Sequence, residues 1–377
     1  MQLYGQEYTP DALRARAGNM DQLAGIQLVQ LDDGAARSTR AAIVHTGSGL
    51  HFTVLLDRGM DIAHASYQGK AMGWRSPTGD VAPAHFEPEG IRWLRSYFGG
   101  LLTTCGLVNA GAPEPGSAES GRGLHGRIGN TPARNLQVSQ AWEGERFVLR
   151  LRGEMREASV FGEKLVLIRE IETELGSKTI HIRDEVRNEA FKPEPYMLLY
   201  HCNIGWPAVD EGARVLLPSK AVAPRDDEAL SGIETWNQLS GPVHGYAEQV
   251  FYHDLQPNAD GWVETAVVNN GFERGEGFGV QVDYKAAHLP RFALWKQLGE
   301  QEFVVGLEPC NCGVEGRHVD EGHGLLHAIP PGGSVHQAVR FTPLTEPGEV
   351  EALEALANAH PAKCAESYLD FVTRPKR

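Results

Sequence analysis

Short runs in which apolar and polar residues alternate constrain the fold most strongly. In KTIHIRDEVRNE, Ile180, Ile182 and Val186 fall on one face of an extended chain while charged and polar residues fall on the other. RFVLRLRGEM and GVQVDYK repeat this period of two, which is typical of antiparallel strands with one face toward solvent. The 43 glycines and 22 prolines interrupt long helices. These patterns predict an all-β fold.

Turn residues separate the strand-sized runs at the spacing of large sandwiches, not of alternating strands and helices. We therefore expect one domain over residues 1–377, with an N-terminal extension over about 1–20 and few short helices. The best helical signal is GEVEALEALANA, which predicts a C-terminal helix over about 346–360. Its apolar stripe follows the start signals Thr345 and Pro347 and comprises Val350, Leu353, Leu356 and Ala357.

Charge and cysteine content exclude several classes of function. With 35 Lys and Arg against 49 Asp and Glu, the net charge is −14, which disfavours nucleic acids and anionic membranes as partners. Five cysteines leave at least one free thiol and favour a reducing compartment. The N-terminus lacks a secretory pattern, and no run of about 18 apolar residues occurs, so we expect a cytoplasmic protein.

Three segments place titratable side chains where glycines or apolar flanks hold them. RGLHGRIGN sets His125 between glycines, and an apolar strand delivers His201 and Asn203 in PYMLLYHCNIGWP. Glu308 ends the apolar run FVVGL, where a buried carboxylate is costly unless it is paired or used. Each also has a structural interpretation: an exposed turn histidine, a core histidine bonded to a carbonyl, and a strand-end salt bridge.

Taken together, two imidazoles and one carboxylate suggest acid–base chemistry on a polyhydroxylated ligand. A glutamate can take the proton of an anomeric hydroxyl while a histidine protonates the ring oxygen, which opens a cyclic hemiacetal. Rotation and reclosure give the other anomer. This reaction requires no metal, nucleotide or other cofactor.

The chain resembles the galactose mutarotase (aldose 1-epimerase) superfamily, and most closely its uncharacterised aldose epimerase-like branch. The resemblance covers roughly residues 20–345 and rests on LDRGMDIAHASYQG, IRWLRSYFGGLLTTCGLVNAG, GLHGRIGNTPAR, LLYHCNIGWP, LPRFALWKQLGEQEFVVGLEP and PPGGSVHQAVRFTPL. It implies a large antiparallel β-supersandwich. It also implies that Glu308 is the general base, His201 the general acid and His125 a binding residue.

The sequence departs from the galactose enzymes after the first histidine and after the strand-end glutamate. Arg127, Lys296 and Arg58 are additional cations, so an anionic monosaccharide such as a uronate is open as a substrate. Arg58 has the alternative role of fixing a turn. Trp93 and Trp295 could stack on a pyranose or belong to the core. The candidate substrate-binding residues are His125, Arg127, Trp93, Asn203, Lys296 and Arg58.

Alternatives remain beside the mutarotase-type enzyme. A non-catalytic sugar-binding or sensing protein would keep the site without the reaction, and a sugar lyase or hydrolase would need a glycoside. Cys310 and Cys312 with nearby histidines suggest zinc, but the Cys-x-Cys spacing is too tight for the usual site, so we expect no metal. A homodimer stays open. The segment 111–123 predicts a mobile loop beside a site.

Overall fold

The computed structural model describes residues 1–116, 122–360, 362–364 and 371. Strands dominate it, and the pairings between the long strands are antiparallel, which confirms the predicted all-β sandwich. Part of the predicted 111–123 loop, residues 117–121, lies outside the described residues.

The described strands are, in chain order, β1 (Gln2–Leu3), β2 (Gln6–Glu7), β3 (Gly25–Gln30), β4 (Arg40–His45), β5 (Leu50–Leu55), β6 (Asp61–Tyr67), β7 (Lys70–Ala71), β8 (Trp74–Arg75), β9 (Gly99–Gly100), β10 (Thr103–Leu107), β11 (Arg134–Glu143), β12 (Arg146–Ala158), β13 (Lys164–Glu174), β14 (Ile180–Asn188), β15 (Glu194–Ile204), β16 (Arg214–Leu216), β17 (Ser219–Pro224), β18 (Gln249–Leu255), β19 (Trp262–Asn269), β20 (Phe278–Lys285), β21 (Arg291–Leu298), β22 (Phe303–Cys310), β23 (His327–Ile329), β24 (Ser334–Leu344) and β25 (Lys363–Cys364).

Two eight-stranded sheets make up most of the molecule. The first has the order β11-β12-β13-β14-β24-β20-β19-β16. The second has the order β10-β15-β22-β21-β18-β17-β25, with β23 paired to β15 off this path. A five-stranded sheet, β3-β4-β5-β6-β7, precedes them in the chain, and the pairs β1-β2 and β8-β9 form small ribbons.

The described helices are short, and each is too short or too polar to cross a membrane. They are the α-helices α1 (Pro10–Arg14), α2 (Asp227–Ser231), α3 (Arg317–Gly322) and α4 (Pro347–Ala359), and the 3₁₀ turns Met20–Gln22, Gly34–Ala36, Pro83–His85, Arg92–Ser96, Ile128–Asn130, Ile233–Thr235 and Phe272–Gly275.

The helix α4 occupies the region where the sequence predicts a C-terminal helix. Glu346 and Glu349 form a reciprocal capping box, and Pro347 stands in the first turn, so side chains satisfy the otherwise unpaired amides of that turn. Leu353 is buried against the first sheet in a cluster that includes Leu344. Packing of one apolar stripe on a sheet edge therefore holds this helix.

The strand β15 is buried on both of its faces. Tyr200, Cys202 and neighbouring even-numbered residues join the main core between the two large sheets. Met197 and Leu199 face the other way, into a smaller cluster. Because successive side chains of a strand point to opposite faces, His201 and Asn203 lie on the same face as Met197 and Leu199, away from the main core. A strand with two buried faces explains the nearly continuous apolar run that precedes His201.

Candidate active site

His201 and Glu308 lie opposite each other on the adjacent strands β15 and β22. The antiparallel register pairs Leu199 with Cys310 and Cys202 with Leu307, so His201 faces Glu308 across the ladder. The atoms His201 Nε2 and Glu308 Oε1 are 3.2 Å apart. Pairing of two strands thus brings together an imidazole and a carboxyl group that lie far apart in sequence. We call these two residues the dyad.

Both side chains of the dyad are removed from water: His201 is 5% exposed and Glu308 is 3% exposed. Glu308 Oε1 has no hydrogen-bond partner among the described residues, although His201 Nε2 lies within ion-pair distance of it. Burial lowers the pKa of His201 well below its ordinary value, and the nearby His125 would oppose a second positive charge and lowers that pKa further. Each dyad residue therefore favours its uncharged form.

The pKa of Glu308 moves in the opposite direction. Burial raises it well above the usual range, and Cys310 and Glu248 raise it further, against a smaller lowering by Arg225. A carboxyl with a raised pKa and an imidazole with a lowered pKa hold one proton between them. Burial favours the state in which this proton is on the carboxyl. Groups with such opposed shifts in a buried site are typical of acid–base centres.

Tyr97 and Asn203 hold the far side of the His201 ring. The Tyr97 hydroxyl donates to Asn203 Oδ1 at 2.6 Å, and its oxygen lies 3.4 Å from His201 Nδ1. Asn203 Nδ2 donates to the His201 carbonyl at 3.0 Å. Because the hydroxyl proton is used by Asn203, the tyrosine oxygen is left to accept from Nδ1–H, which we assign as the protonated ring nitrogen. Nε2 then faces Glu308 as an acceptor.

His125 approaches the dyad from a separate loop. Its backbone adopts a positive φ of 56°, unusual for a residue with a side chain, and Gly126 follows with φ 69°. The ring lies edge-on to His201, with centroids 5.5 Å apart, and its Nδ1 accepts from the Gly111 amide at 3.3 Å. Burial lowers the pKa of His125 to about 4, so the ring is neutral at pH 7 and its Nε2–H remains a donor.

Aromatic rings enclose the three polar groups. Trp93 stacks on Tyr97 with centroids 4.5 Å apart and contacts the His125 ring at 4.7 Å. Because Trp93 is only 3% exposed, it supports these rings from behind. Trp295 meets the edge of His201 at 5.2 Å and is partly exposed, so it offers an apolar surface beside the dyad. Its indole N–H donates to Glu248 at 2.8 Å.

Three cations that the sequence nominated for substrate binding are not brought to the dyad. Lys296 follows Trp295 on β21 and points to the opposite face, where its ammonium donates to the carbonyls of Thr235 and Gln238. Arg58 is buried and donates to three backbone carbonyls, consistent with its alternative role in fixing loops. Arg127 is exposed and lines a cavity that also includes Asn130 and Glu157 and neither residue of the dyad.

Asn203 is adjacent to the dyad, but both polar ends of its amide are engaged by Tyr97 and by the His201 carbonyl. These two hydrogen bonds link Asn203 to the groups that position the His201 ring. Within the described residues, no group of three or more His, Cys, Asp or Glu side chains is arranged to hold a metal ion.

The sequence analysis overlooked Tyr97, the residue that contacts both His201 and Asn203. A signal existed: Tyr97 stands four positions after Trp93 in a segment with helical character, and that spacing puts two side chains on one face of a helix. Glu248 and Arg225, which form an ion pair at 3.1 Å beside Trp295, carried no comparable signal. Their position depends on how β17 and β18 pack beside β21.

Comparison with known proteins supports the fold. A family model described as "Domain of unknown function (DUF4432)" matches residues 36–342. A structure from Klebsiella pneumoniae subsp. pneumoniae MGH 78578, described as a "putative aldose 1-epimerase", is 29% identical, covers 93% of each chain and superimposes with a TM-score of 0.85. No curated protein matches the chain in sequence.

More distant structures share the fold alone. A galactose mutarotase-like protein from Clostridium acetobutylicum is 10% identical and has a TM-score of 0.57, with 86% of this chain and 99% of that chain covered. Galactose 1-epimerase from Lactobacillus acidophilus NCFM is 14% identical and has a TM-score of 0.50, with the same shares covered. These matches confirm the resemblance in fold that the sequence motifs indicate.

Proposed function

The chain belongs to the DUF4432 family of unknown function, and we propose that it is an aldose 1-epimerase-type enzyme that interconverts the anomers of a free monosaccharide. The observation that carries this proposal is the contact between His201 Nε2 and Glu308 Oε1 at 3.2 Å. In a cyclic hemiacetal the anomeric hydroxyl and the ring oxygen are bonded to the same carbon. An acid and a base that act on these two oxygens must therefore be near neighbours, as the dyad residues are.

Proton balance is consistent with such a reaction. The dyad holds one proton, and its transfer from Glu308 to His201 gives a carboxylate and an imidazolium. The carboxylate then takes the proton of the anomeric hydroxyl while the imidazolium protonates the ring oxygen, so the ring opens. Reclosure on the other face of the aldehyde reverses both transfers. The dyad ends with the number of protons it began with, so no further reactant is needed.

The surrounding groups suit a neutral sugar. Trp295 offers an apolar face to a pyranose, and the His125 Nε2–H is a donor for a hydroxyl or the ring oxygen. The charged groups whose fields reach Glu308 are Glu248 and Arg225, and the arginine is neutralised by Asp226 at 2.8 Å and by Glu248. A uronate would place its carboxylate among these acids without a free cation, so we propose a neutral aldose as substrate.

Saturation-transfer NMR between the two anomers tests the proposal. A panel of neutral aldoses and their matching uronates would be equilibrated with the wild-type protein, and the exchange rate compared with the spontaneous rate. We expect acceleration for at least one neutral aldose and a smaller effect for its uronate. Measurable binding without acceleration for any sugar would favour the sensing role, and cleavage of a glycoside would favour a lyase or hydrolase.

A further inference from the structure

A cavity of about 520 Å³ opens beside the segment that carries His125. Its polar lining comprises Arg127, Asn130, Thr131, Arg156 and Glu157, and prolines, alanines and Phe86 complete the wall. None of these polar residues contacts the dyad. Gly126 separates His125 from Arg127 and packs so tightly that a Cβ atom would lie 2.4 Å from the Gly106 carbonyl oxygen. The tight packing fixes the Arg127 backbone at the cavity wall.

The cavity offers hydrogen-bond donors that lack partners. Arg127 makes no ion pair and no side-chain hydrogen bond with any described residue. Asn130 is 7% exposed, and while its Oδ1 accepts from the Ser96 hydroxyl at 3.3 Å, its Nδ2 has no partner among the described residues. An unsatisfied buried amide donor costs free energy, and because Nδ2 is closed off from solvent, it would gain a ligand oxygen as partner by rotation of the Asn130 side chain toward the cavity. Arg156 uses only one nitrogen on Glu189.

The one carboxyl group in the lining is already engaged. Glu157 is 4% exposed, and its Oε2 accepts from the Leu107 amide at 2.7 Å. Burial raises the pKa of Glu157 to about 7, against a lowering by that amide and by Arg127. As the pH falls below 7 this carboxyl becomes neutral, which leaves the charge of Arg127 uncompensated in the lining. Arg156 keeps its ion pair with Glu189, and the nearby Glu163 raises the pKa of Glu157 further. Such a site is notable in a chain with a net charge of −14.

We propose that this cavity is a binding site for a small oxyanion, the phosphate or carboxylate group of a metabolite, held by Arg127, Arg156 and the Asn130 amide. A guanidinium binds either group through paired N–H···O hydrogen bonds, and the unpartnered amide supplies another donor. The proposal does not depend on the reaction at the dyad, because it concerns different side chains.

Isothermal titration calorimetry with inorganic phosphate and, separately, with acetate tests the site below pH 7. Arg127→Ala removes the unpaired guanidinium from an exposed position, so the fold should persist. Arg152→Ala is the matched control, since Arg152 on β12 makes no ion pair with described residues and does not line the cavity. We expect the wild type and Arg152→Ala to bind at least one anion with the same Kd, and Arg127→Ala to raise that Kd about tenfold or more.

Glu157→Gln provides an independent measurement. The glutamine is uncharged at every pH, so we expect the anion affinity of this variant to stay constant as the pH rises through 7. The wild type should lose anion affinity over the same range, because Glu157 ionises. The stronger of the phosphate and acetate titrations identifies the chemical group that the site prefers. An absence of binding by both anions, or an unchanged Kd in Arg127→Ala, would overturn the proposal.

Discussion

Tyr200 and His201 are consecutive residues of β15, yet their side chains lie in two buried polar clusters with different properties. Tyr200 points into the core and donates to Asp184 at 2.7 Å. Asp184 in turn binds Arg169 at 2.6 Å, and the same guanidinium binds Asp61 at 2.7 Å. On the other face of the strand, His201 meets Glu308, whose Oε1 has no hydrogen-bond partner among the described residues.

The two clusters differ in how far their buried charged groups are paired and hydrogen-bonded. Burial raises the pKa of Asp61, but Arg169 and Thr104 oppose that shift, and both carboxylate oxygens receive hydrogen bonds from Thr104. Among the residues that the structure describes, no Lys or Arg lies within ion-pair distance of Glu308, and its neighbour His201 favours the neutral form. Paired and bonded charges stabilise a fold, whereas a poorly satisfied carboxyl keeps the capacity to exchange a proton. The comparison leads to four predictions.

Glu308→Gln should give the largest effect on activity and little effect on stability. Removing the proposed base should reduce the enzyme-catalysed anomer exchange by about 10²–10⁴-fold. The free energy of unfolding should stay equal or rise, because a neutral amide avoids the cost at pH 7 of protonating a carboxyl that is ionised in the unfolded chain. NMR exchange and urea unfolding measure the two quantities. Glu302→Gln, at an exposed position on the approach to β22, is the control, and retained catalysis in Glu308→Gln would remove the base assignment.

Arg169→Met should show the reverse pattern. It leaves Asp61 and Asp184 buried without their cation, which should lower the free energy of unfolding by about 3–5 kcal/mol. On the neighbouring strand, Arg183→Met removes the ion pair with Glu170. Because the Arg183 side chain is 54% exposed, this change should lower the free energy of unfolding by less than about 1 kcal/mol. Urea titrations at pH 7 compare the variants. Equal losses in both would contradict a structural role for the buried network.

Tyr97→Phe should reduce the exchange rate about tenfold, because it removes one hydrogen-bonding hydroxyl and keeps the ring that stacks on Trp93. The ¹⁵N shifts of His201 should show a weaker preference for the Nδ1–H tautomer. Tyr284→Phe alters a buried tyrosine stacked on Phe292 and should change neither quantity. An unchanged tautomer in Tyr97→Phe would exclude the positioning role.

The pH dependence of kcat/KM should show the smallest effect of the four predictions. The pKa of His201 is lowered and that of Glu308 is raised, so burial favours the one proton of the dyad on Glu308, and the imidazole does not titrate at pH 6.5, the ordinary histidine value. We expect kcat/KM, corrected for spontaneous exchange, to stay flat as the pH rises through 6.5. An exposed pair would instead lose its imidazolium there. A fall of about tenfold per pH unit above 6.5 would show that the dyad titrates as two ordinary groups.

Much of the site could be predicted from the sequence because residue type and local position carried the signal. His201 and Glu308 were recognisable as titratable residues in apolar strands, and His125 as a histidine between glycines. Trp93 pointed to the segment that contains Tyr97. The substrate-binding roles of Arg127, Lys296 and Arg58 were inferred from charge alone, and charge does not say which way a side chain points.

By itself the sequence determined the all-β fold class, because the period of two follows from the local geometry of each strand and needs no neighbour. It also supplied the two titratable residue types of the candidate site. Only the tertiary structure decided that β15 lies beside β22 in the register that brings His201 Nε2 to Glu308 Oε1. It also decided that Lys296 points away from the face of Trp295 and that Arg127 lines a cavity without the dyad. Those outcomes depend on contacts between distant segments, and a shift of one residue in register would reverse every face.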